Sequence, residues 1–156
     1  MRFVKQSVIR ASQERVFGFH ELPEALALLI PPWEKAKIIQ AAKISEIGSQ
    51  AVVETRILGP IAVKWVARHT LYDPPHVFED IQIKGPFRSW RHRHVVEPDE
   101  QGAILRDEID YEPRFGFVGR LLAPMLIEKR LRKLFDYRHE ATRRWCETSS
   151  SEFIKL

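Results

Sequence analysis

Five turn-forming breaks divide the middle of the chain at short and regular intervals. Between about Lys35 and Tyr111 they are Gly48-Ser49, Gly59-Pro60, Asp73-Pro74-Pro75, Gly85-Pro86 and Asp99-Glu100-Gln101-Gly102. Because glycine, proline and aspartate punctuate strands, these breaks predict six short strands. Short connections favour hairpins, so the six strands should pair in antiparallel fashion.

One strand and two short helices are predicted before this region, and one long helix after it. Phe3–Ile9 has the pattern of a strand, and Ser12 is a suitable N-cap for a helix over 14–20. A second short helix over 24–30 should end at Pro31-Pro32. From Arg120 to about Trp145, apolar residues recur at helical spacing. The predicted inward face of this helix is Ile127, Leu131, Leu134, Arg138, Ala141 and Trp145, widened by Leu122, Leu126 and Phe135.

This order predicts an α+β fold in which a curved, seven-stranded antiparallel sheet wraps around the last helix and leaves an internal cavity. The length of 156 residues fits one domain. We place that domain at 1–147, with a flexible tail over 148–156. The single cysteine, Cys146, suits a reducing compartment, and the apolar run 25–30 is far too short to span a membrane. We therefore expect a cytoplasmic protein.

Polar and aromatic residues occupy positions whose alternation predicts that they face inward. These positions carry Trp65 and His69, then Trp90, His92 and His94, then Asp107 and Tyr111, with Asp80 as a further candidate. If Glu97 pairs with Gly102, His92 lies opposite Asp107 and Trp90 lies opposite Ile109. Opposed side chains are close enough to interact, so we predict a His92–Asp107 pair.

Several local motifs carry a resemblance to a known superfamily. They are Pro31-Pro32-Trp33, Trp65-Val66-Ala67-Arg68-His69, Pro74-Pro75 with Phe78-Glu79-Asp80, Gly85-Pro86-Phe87 with Trp90, His92-Arg93-His94, Asp107 with Tyr111, and Phe135-Asp136-Tyr137-Arg138. With this element order, the chain resembles the START-like or SRPBCC superfamily, which has the helix-grip fold and includes pollen-allergen-like carriers. It is most similar to the bacterial polyketide cyclase/dehydrase-like branch. The resemblance implies a hydrophobic cavity with very varied cargo.

The main functional hypothesis is that the cavity binds an apolar or amphipathic small molecule, such as a lipid, isoprenoid, aromatic or polyketide-like compound, as a carrier or sensor. The eight inward residues would bind it, with the histidines, Asp80, Asp107 and Tyr111 at its polar end. One alternative is a cyclase, dehydratase or isomerase that uses His92 and Asp107 for acid–base catalysis. Another is a buried network that only specifies the core.

His92-Arg93-His94 also permits a metal site, which would need His69 or Asp107 as a third ligand. Glu97 falls on the opposite face of its strand, and no second ligand motif is visible. We therefore expect neither a metal nor a cofactor.

The last helix carries most of the positive charge. Residues 128–144 have a net charge of +4, which equals that of the whole chain. This face could contact RNA, the ribosome or an anionic membrane. Because +4 is modest for a nucleic-acid binder, we expect a solvated face, no nucleic-acid partner and at most a transient contact with a membrane surface. The pattern leaves the oligomeric state open.

Overall fold

The structure is a computed structural model, and it describes residues 1–56, 62–114 and 119–148. Seven strands and three helices occupy these ranges. In chain order they are β1 (Arg2–Ile9), α1 (Gln13–Glu21), α2 (Ala25–Leu28), β2 (Ala36–Gln40), β3 (Gln50–Thr55), β4 (Val63–Asp73), β5 (Val77–Lys84), β6 (Phe87–Asp99), β7 (Gly102–Pro113) and α3 (Gly119–Glu147).

The seven strands form one curved antiparallel sheet in the order β1-β7-β6-β5-β4-β3-β2. The first strand pairs with the last, so α1 and α2 connect the two edge strands of the sheet. The long helix α3 packs against β1, β7 and α1. The predicted α+β helix-grip architecture is therefore confirmed. Over the described ranges, no helix combines the length and apolar character needed to cross a bilayer.

The predicted start of α1 is confirmed in atomic detail. The Ser12 side chain accepts a hydrogen bond from the backbone N–H of Arg15 at 3.2 Å. This contact satisfies one of the N–H groups that a helix start leaves without an intrahelical partner. The second short helix exists but is only 4 residues long, Ala25–Leu28.

The inward faces of the two longest strands are also confirmed. In β6 the residues Trp90, His92, His94 and Val96 are buried, and in β7 every second residue from 103 to 111 is buried. The structure also places the further candidate, Asp80 on β5, on the inward face. Phe78 is buried opposite His94, so Asp80, two residues on, faces inward opposite His92.

The predicted register of the β6–β7 hairpin is wrong by two residues. Glu97 pairs with Ile104, His94 with Asp107 and His92 with Ile109. The hairpin closes more tightly than expected, with Asp99 opposite Gly102. Because a shift of two preserves the alternation, the inward residues stay inward and only their partners change.

The buried face of α3 differs from the predicted one. Its most buried residues are Leu131, Phe135, His139, Thr142 and Cys146. Leu126, which was placed on the inward face, is 65% exposed. A hydrophobicity pattern does not identify His139 and Thr142 as inward residues, because both are polar. In the structure both are hydrogen-bonded, His139 to Asp107 and Thr142 to the carbonyl oxygen of Arg138. The side chain of Leu122 and the proposed tail beyond Thr148 lie outside the described residues.

Two apolar clusters fill the space under the sheet. One surrounds α1 and includes Phe17, Phe19, Phe78 and Val96. The other is aromatic and joins Phe3, Phe87, Trp90, Tyr111 and Phe135. Leu105 belongs to the first cluster and Ile109 to the second, so Asp107 lies on the strand between them. A buried carboxyl group thus lies between the two apolar clusters of the core.

Gly102 offers a test of the tight β6–β7 turn. Its φ is +143°, and a Cβ at this position would lie 2.3 Å from the carbonyl oxygen of Ile9. We expect Gly102→Ala to lower the free energy of unfolding by about 3 kcal/mol, since both the backbone conformation and the backbone contact oppose it. Gly48→Ala is the matched control, because Gly48 has φ +90° but open space around it. Urea unfolding of both variants checks this, and equal losses would contradict the steric argument.

Candidate functional site

The carboxylate of Asp107 lies at the centre of a buried cluster of histidines. Its Oδ2 accepts a hydrogen bond from His139 Nε2 at 2.7 Å, and its Oδ1 accepts one from His92 Nε2 at 2.9 Å. The Nδ1 of His94 lies 2.6 Å from Oδ1, in a contact that is close but poorly directed for a hydrogen bond. Asp107, His92, His94 and His139 are between 2% and 7% exposed.

Three elements bring these side chains together. His92 and His94 alternate on β6, and Asp107 lies directly opposite His94 on β7. His139 comes from α3, across the space between helix and sheet. Its Nδ1 lies 2.9 Å from the hydroxyl of Ser7 on β1. One ring nitrogen of His139 thus contacts Asp107 on β7 and the other contacts Ser7 on β1, so this histidine links α3 to both strands.

A second carboxyl group lies on the other side of His92. Asp80 Oδ2 is 3.7 Å from His92 Nδ1. His69 is the cross-strand neighbour of Asp80 on β4, so His69, Asp80 and His92 form a row across three adjacent strands. The Nδ1 of His69 is buried and has no hydrogen-bond partner within the described part of the chain. This row and the Asp107 cluster share His92.

The environment keeps Asp107 ionised. Burial alone raises the pKa of this carboxyl, but the His94 ring and the hydrogen bonds from His139 and His92 act in the opposite direction. Together they outweigh burial and hold the pKa of Asp107 well below its usual range. Asp80 differs, because burial raises its pKa and the nearby His94 and His69 rings offset that rise only in part.

Burial favours the neutral form of four histidines in and beside the cluster. Burial lowers the pKa of His92, and the hydrogen bond to Asp107 only partly opposes this effect. Burial and the neighbouring His92 ring lower the pKa of His94. Burial also lowers the pKa of His69, and it lowers that of His20 to about 3. A neutral imidazole keeps one ring nitrogen as an acceptor or metal ligand, so the cluster has basic nitrogen atoms at neutral pH.

The eight predicted site residues separate into two groups. His69, Asp80, His92, His94 and Asp107 form the buried polar cluster. Trp65, Trp90 and Tyr111 instead pack in the aromatic part of the core, where the Trp65 and Trp90 ring centroids are 5.0 Å apart. The His92–Asp107 contact exists, but it runs diagonally between the strands, because the residue opposite Asp107 is His94.

Sequence reasoning missed three contributors. His139, Ser7 and His20 all reach the cluster or its edge. His20 lies on α1 with its ring centroid 5.4 Å from that of His94. Helical spacing does point to His139, because it lies four residues after Phe135 and therefore on the same side of the helix.

A large open groove runs along the solvent side of α3. It encloses about 1430 Å³. Its apolar and aromatic lining includes Leu28, Trp33, Leu126, Tyr137 and Trp145. Among its cations, Lys35, Arg56, Lys129 and Lys133 form no ion pair with the described residues, whereas Arg130 binds Glu34. The groove therefore joins an apolar wall to a set of positive charges.

A family model described as polyketide cyclase / dehydrase and lipid transport matches residues 9–136. The chain belongs to this family. No curated protein matches the sequence significantly. The family assignment agrees with the superfamily that the sequence motifs resemble.

Solved structures support the fold. TTHA0849 from Thermus thermophilus has a TM-score of 0.75 at 17% identity, over 96% of this chain and 99% of that one. CV1439 from Chromobacterium violaceum has a TM-score of 0.72 at 15% identity, over 95% and 99% of the two chains. Ara h 8.0201 has a TM-score of 0.64 at 9% identity, over 91% and 97%. At these identities the likeness establishes the fold alone.

The role of Asp107 in the fold can be measured. We expect Asp107→Asn to lower the free energy of unfolding by about 3 kcal/mol, because three buried histidines lose the carboxylate that they share. Asp110→Asn is the matched control on the same strand. Asp110 points outward and pairs with Arg91 at 2.6 Å, with its side chain 37% exposed, so its loss should cost less than about 1 kcal/mol. Chemical unfolding gives both values, and similar losses would contradict a special role for Asp107.

Proposed function

We propose that this protein binds an amphipathic small molecule with an acidic head group in the groove along α3, as a carrier or sensor. The family includes lipid transport in its description, and the fold places one long helix across a curved sheet. The observation that carries the proposal is the lining of the groove. Aromatic and aliphatic side chains form its wall, and around them lie cations that form no ion pair within the described ranges.

The apolar wall of the groove suits the hydrophobic part of such a ligand, and the cations suit its acidic head group. Trp33 is 46% exposed, and its ring meets Tyr137 at a centroid distance of 5.3 Å. The exposed Trp33 ring and the half-buried Tyr137 ring, with Leu28 and Leu126, offer apolar area that a hydrocarbon or ring system can cover. The Nζ of Lys133 lies 4.4 Å from the centre of the Trp33 ring, so a cation is available beside the apolar wall. A carboxylate or phosphate would pair with that ammonium and with Lys129.

This assignment changes the role that the sequence predicted for the polar cluster. The ligand's polar end was expected at His92 and Asp107, but these side chains are almost fully buried and bonded to one another. The groove lies on the opposite side of α3 and shares none of the eight predicted residues. The enzymatic alternative, with His92 and Asp107 as an acid–base pair, remains a hypothesis.

Charge reversal at the groove tests the proposal. A fluorescent long-chain fatty acid serves as the anionic probe, and its methyl ester is the uncharged control ligand. We expect the acid to bind more tightly than the ester, and we expect Lys129→Glu to weaken binding of the acid by about tenfold with little effect on the ester. Lys43→Glu is the matched control, because Lys43 is exposed in the β2–β3 connection, away from the groove.

Two results would contradict the groove assignment. One is equal affinity for the acid and the ester, which would remove the role of the cations. The other is an equal loss of affinity in Lys43→Glu and Lys129→Glu, which would indicate a general effect of net charge. Circular dichroism confirms that each variant is folded before binding is measured.

A further inference from the structure

The structure assigns a divalent metal site to Asp80, His92 and His94. The site lies on the inward face of the sheet and is separate from the proposed ligand groove. One carboxylate oxygen of Asp80 and one ring nitrogen of each histidine lie within 4.8 Å of one another. From the sequence alone, a metal site at His92 and His94 would need His69 or Asp107 as its third ligand, and no metal is expected. The structure brings in Asp80 instead, from the strand next to β6.

The separation of Asp80 and His92 fits a metal ion between them. Their closest atoms, Oδ2 and Nδ1, are 3.7 Å apart. This distance is too long for a hydrogen bond. Two ligands that each lie about 2.0–2.2 Å from a tetrahedral metal are roughly 3.4 Å apart, which is close to the observed value. Because all three ligand atoms lie within 4.8 Å of one another, a shift of at most about 1.4 Å brings the third ligand into the same geometry.

The orientation of the His92 ring also favours a cation at this position. Its Nε2 lies 2.9 Å from Asp107 Oδ1, and its Nδ1 is turned to the carboxylate of Asp80 at 3.7 Å. With Nε2 directed at Asp107, the Nδ1 atom and the Asp80 oxygen face each other as acceptors. Two acceptors that face each other in a buried site repel unless a proton or a cation lies between them. A divalent cation satisfies both atoms at once.

A second carboxylate, that of Asp107, supports the ligands from behind. A metal-binding histidine usually donates its other N–H to a carboxylate, which fixes the ring and raises its basicity. Asp107 has this position relative to His92, and it also contacts His94 Nδ1 at 2.6 Å. His139 in turn holds the second oxygen of Asp107 at 2.7 Å. The cluster therefore has both ligands and the outer carboxylate that orients them.

His69 has a ring nitrogen without a partner beside the proposed site, among the residues that the structure describes. This side chain is 8% exposed, and its Nδ1 is buried with no hydrogen bond to any residue that the structure describes. His69 lies opposite Asp80 on the neighbouring strand. A buried polar atom without a partner is costly, and a metal ion or its bound water beside Asp80 would supply the missing contact.

The ligand set indicates which metal fits. Two imidazoles and one carboxylate suit Zn²⁺ or Fe²⁺ rather than Ca²⁺ or Mg²⁺, which prefer oxygen ligands. Three protein ligands leave at least one coordination position for water or for an oxygen atom of a substrate. Such a site would activate that water or polarise that oxygen.

Zn²⁺ titration of the untagged protein tests the site, after treatment with a chelator and dialysis. We expect isothermal titration calorimetry to show one Zn²⁺ per chain, and we expect Asp80→Asn to weaken its binding at least tenfold. Asp73→Asn and His76→Gln are the matched controls, because these residues lie at the β4–β5 turn, outside the cluster. Neither control should change the affinity.

A measurement on the wild-type chain covers the case in which Asp80→Asn fails to fold. Nuclear magnetic resonance of the histidine ring nitrogens should show His92 and His94 shifting on addition of Zn²⁺, while His76 stays unchanged. Absence of Zn²⁺ binding, or binding that His76→Gln removes and Asp80→Asn does not, would overturn the proposal. Fatty-acid binding in the metal-free protein is a separate readout, so failure of the metal site leaves the groove proposal to its own test.

Discussion

The buried carboxylate of Asp107 is the interaction on which the interior of this protein depends. It lies on β7 between two apolar clusters and receives contacts from β6 and from α3. An isolated carboxylate in such a place would be strongly unfavourable, so its stability requires the surrounding N–H groups. Through His139 and Ser7 the same group also fixes the position of α3 relative to β1. The helix is thus positioned by a directional polar contact as well as by apolar packing.

This constraint separates two regions with different chemistry. The interior cluster is compact and buried, and it brings two imidazoles and a carboxylate together at the proposed metal site. The groove on the far side of α3 is open, aromatic and cationic, which suits an acidic amphiphile. Both regions are built on the same helix, because Phe135 and His139 face inward while Lys133 and Tyr137 line the groove. The proposed metal site and the proposed ligand groove therefore share no side chain.

Much of the fold could be predicted from the sequence, because periodic patterns and turn residues are local signals. The seven strands, the long helix and the inward faces of β6 and β7 follow from alternation and breaks. The hairpin register could not be predicted, since it depends on how tightly the turn at Gly102 closes. His139 was missed because a polar residue on an apolar face carries no hydrophobic signal. The groove was missed because it joins Trp33, Arg56 and α3, which are far apart in the chain.

The ionisation of Asp107 is the most direct test of this account. Carbon-13 labelling of the aspartate carboxyl groups, followed by nuclear magnetic resonance from neutral to acidic pH, reports the protonation of each group separately. Because the pKa of Asp107 is held well below its usual range, we expect its signal to stay at the ionised position through the pH range in which an aspartate in an unfolded peptide titrates. By linkage, ionised Asp107 stabilises the fold fully above the pKa that it has in the unfolded chain. That stabilisation is lost as the pH falls through the lower pKa that it has in the folded protein. A signal that titrates in the ordinary aspartate range, or that is protonated at neutral pH, would contradict the central role of this carboxylate.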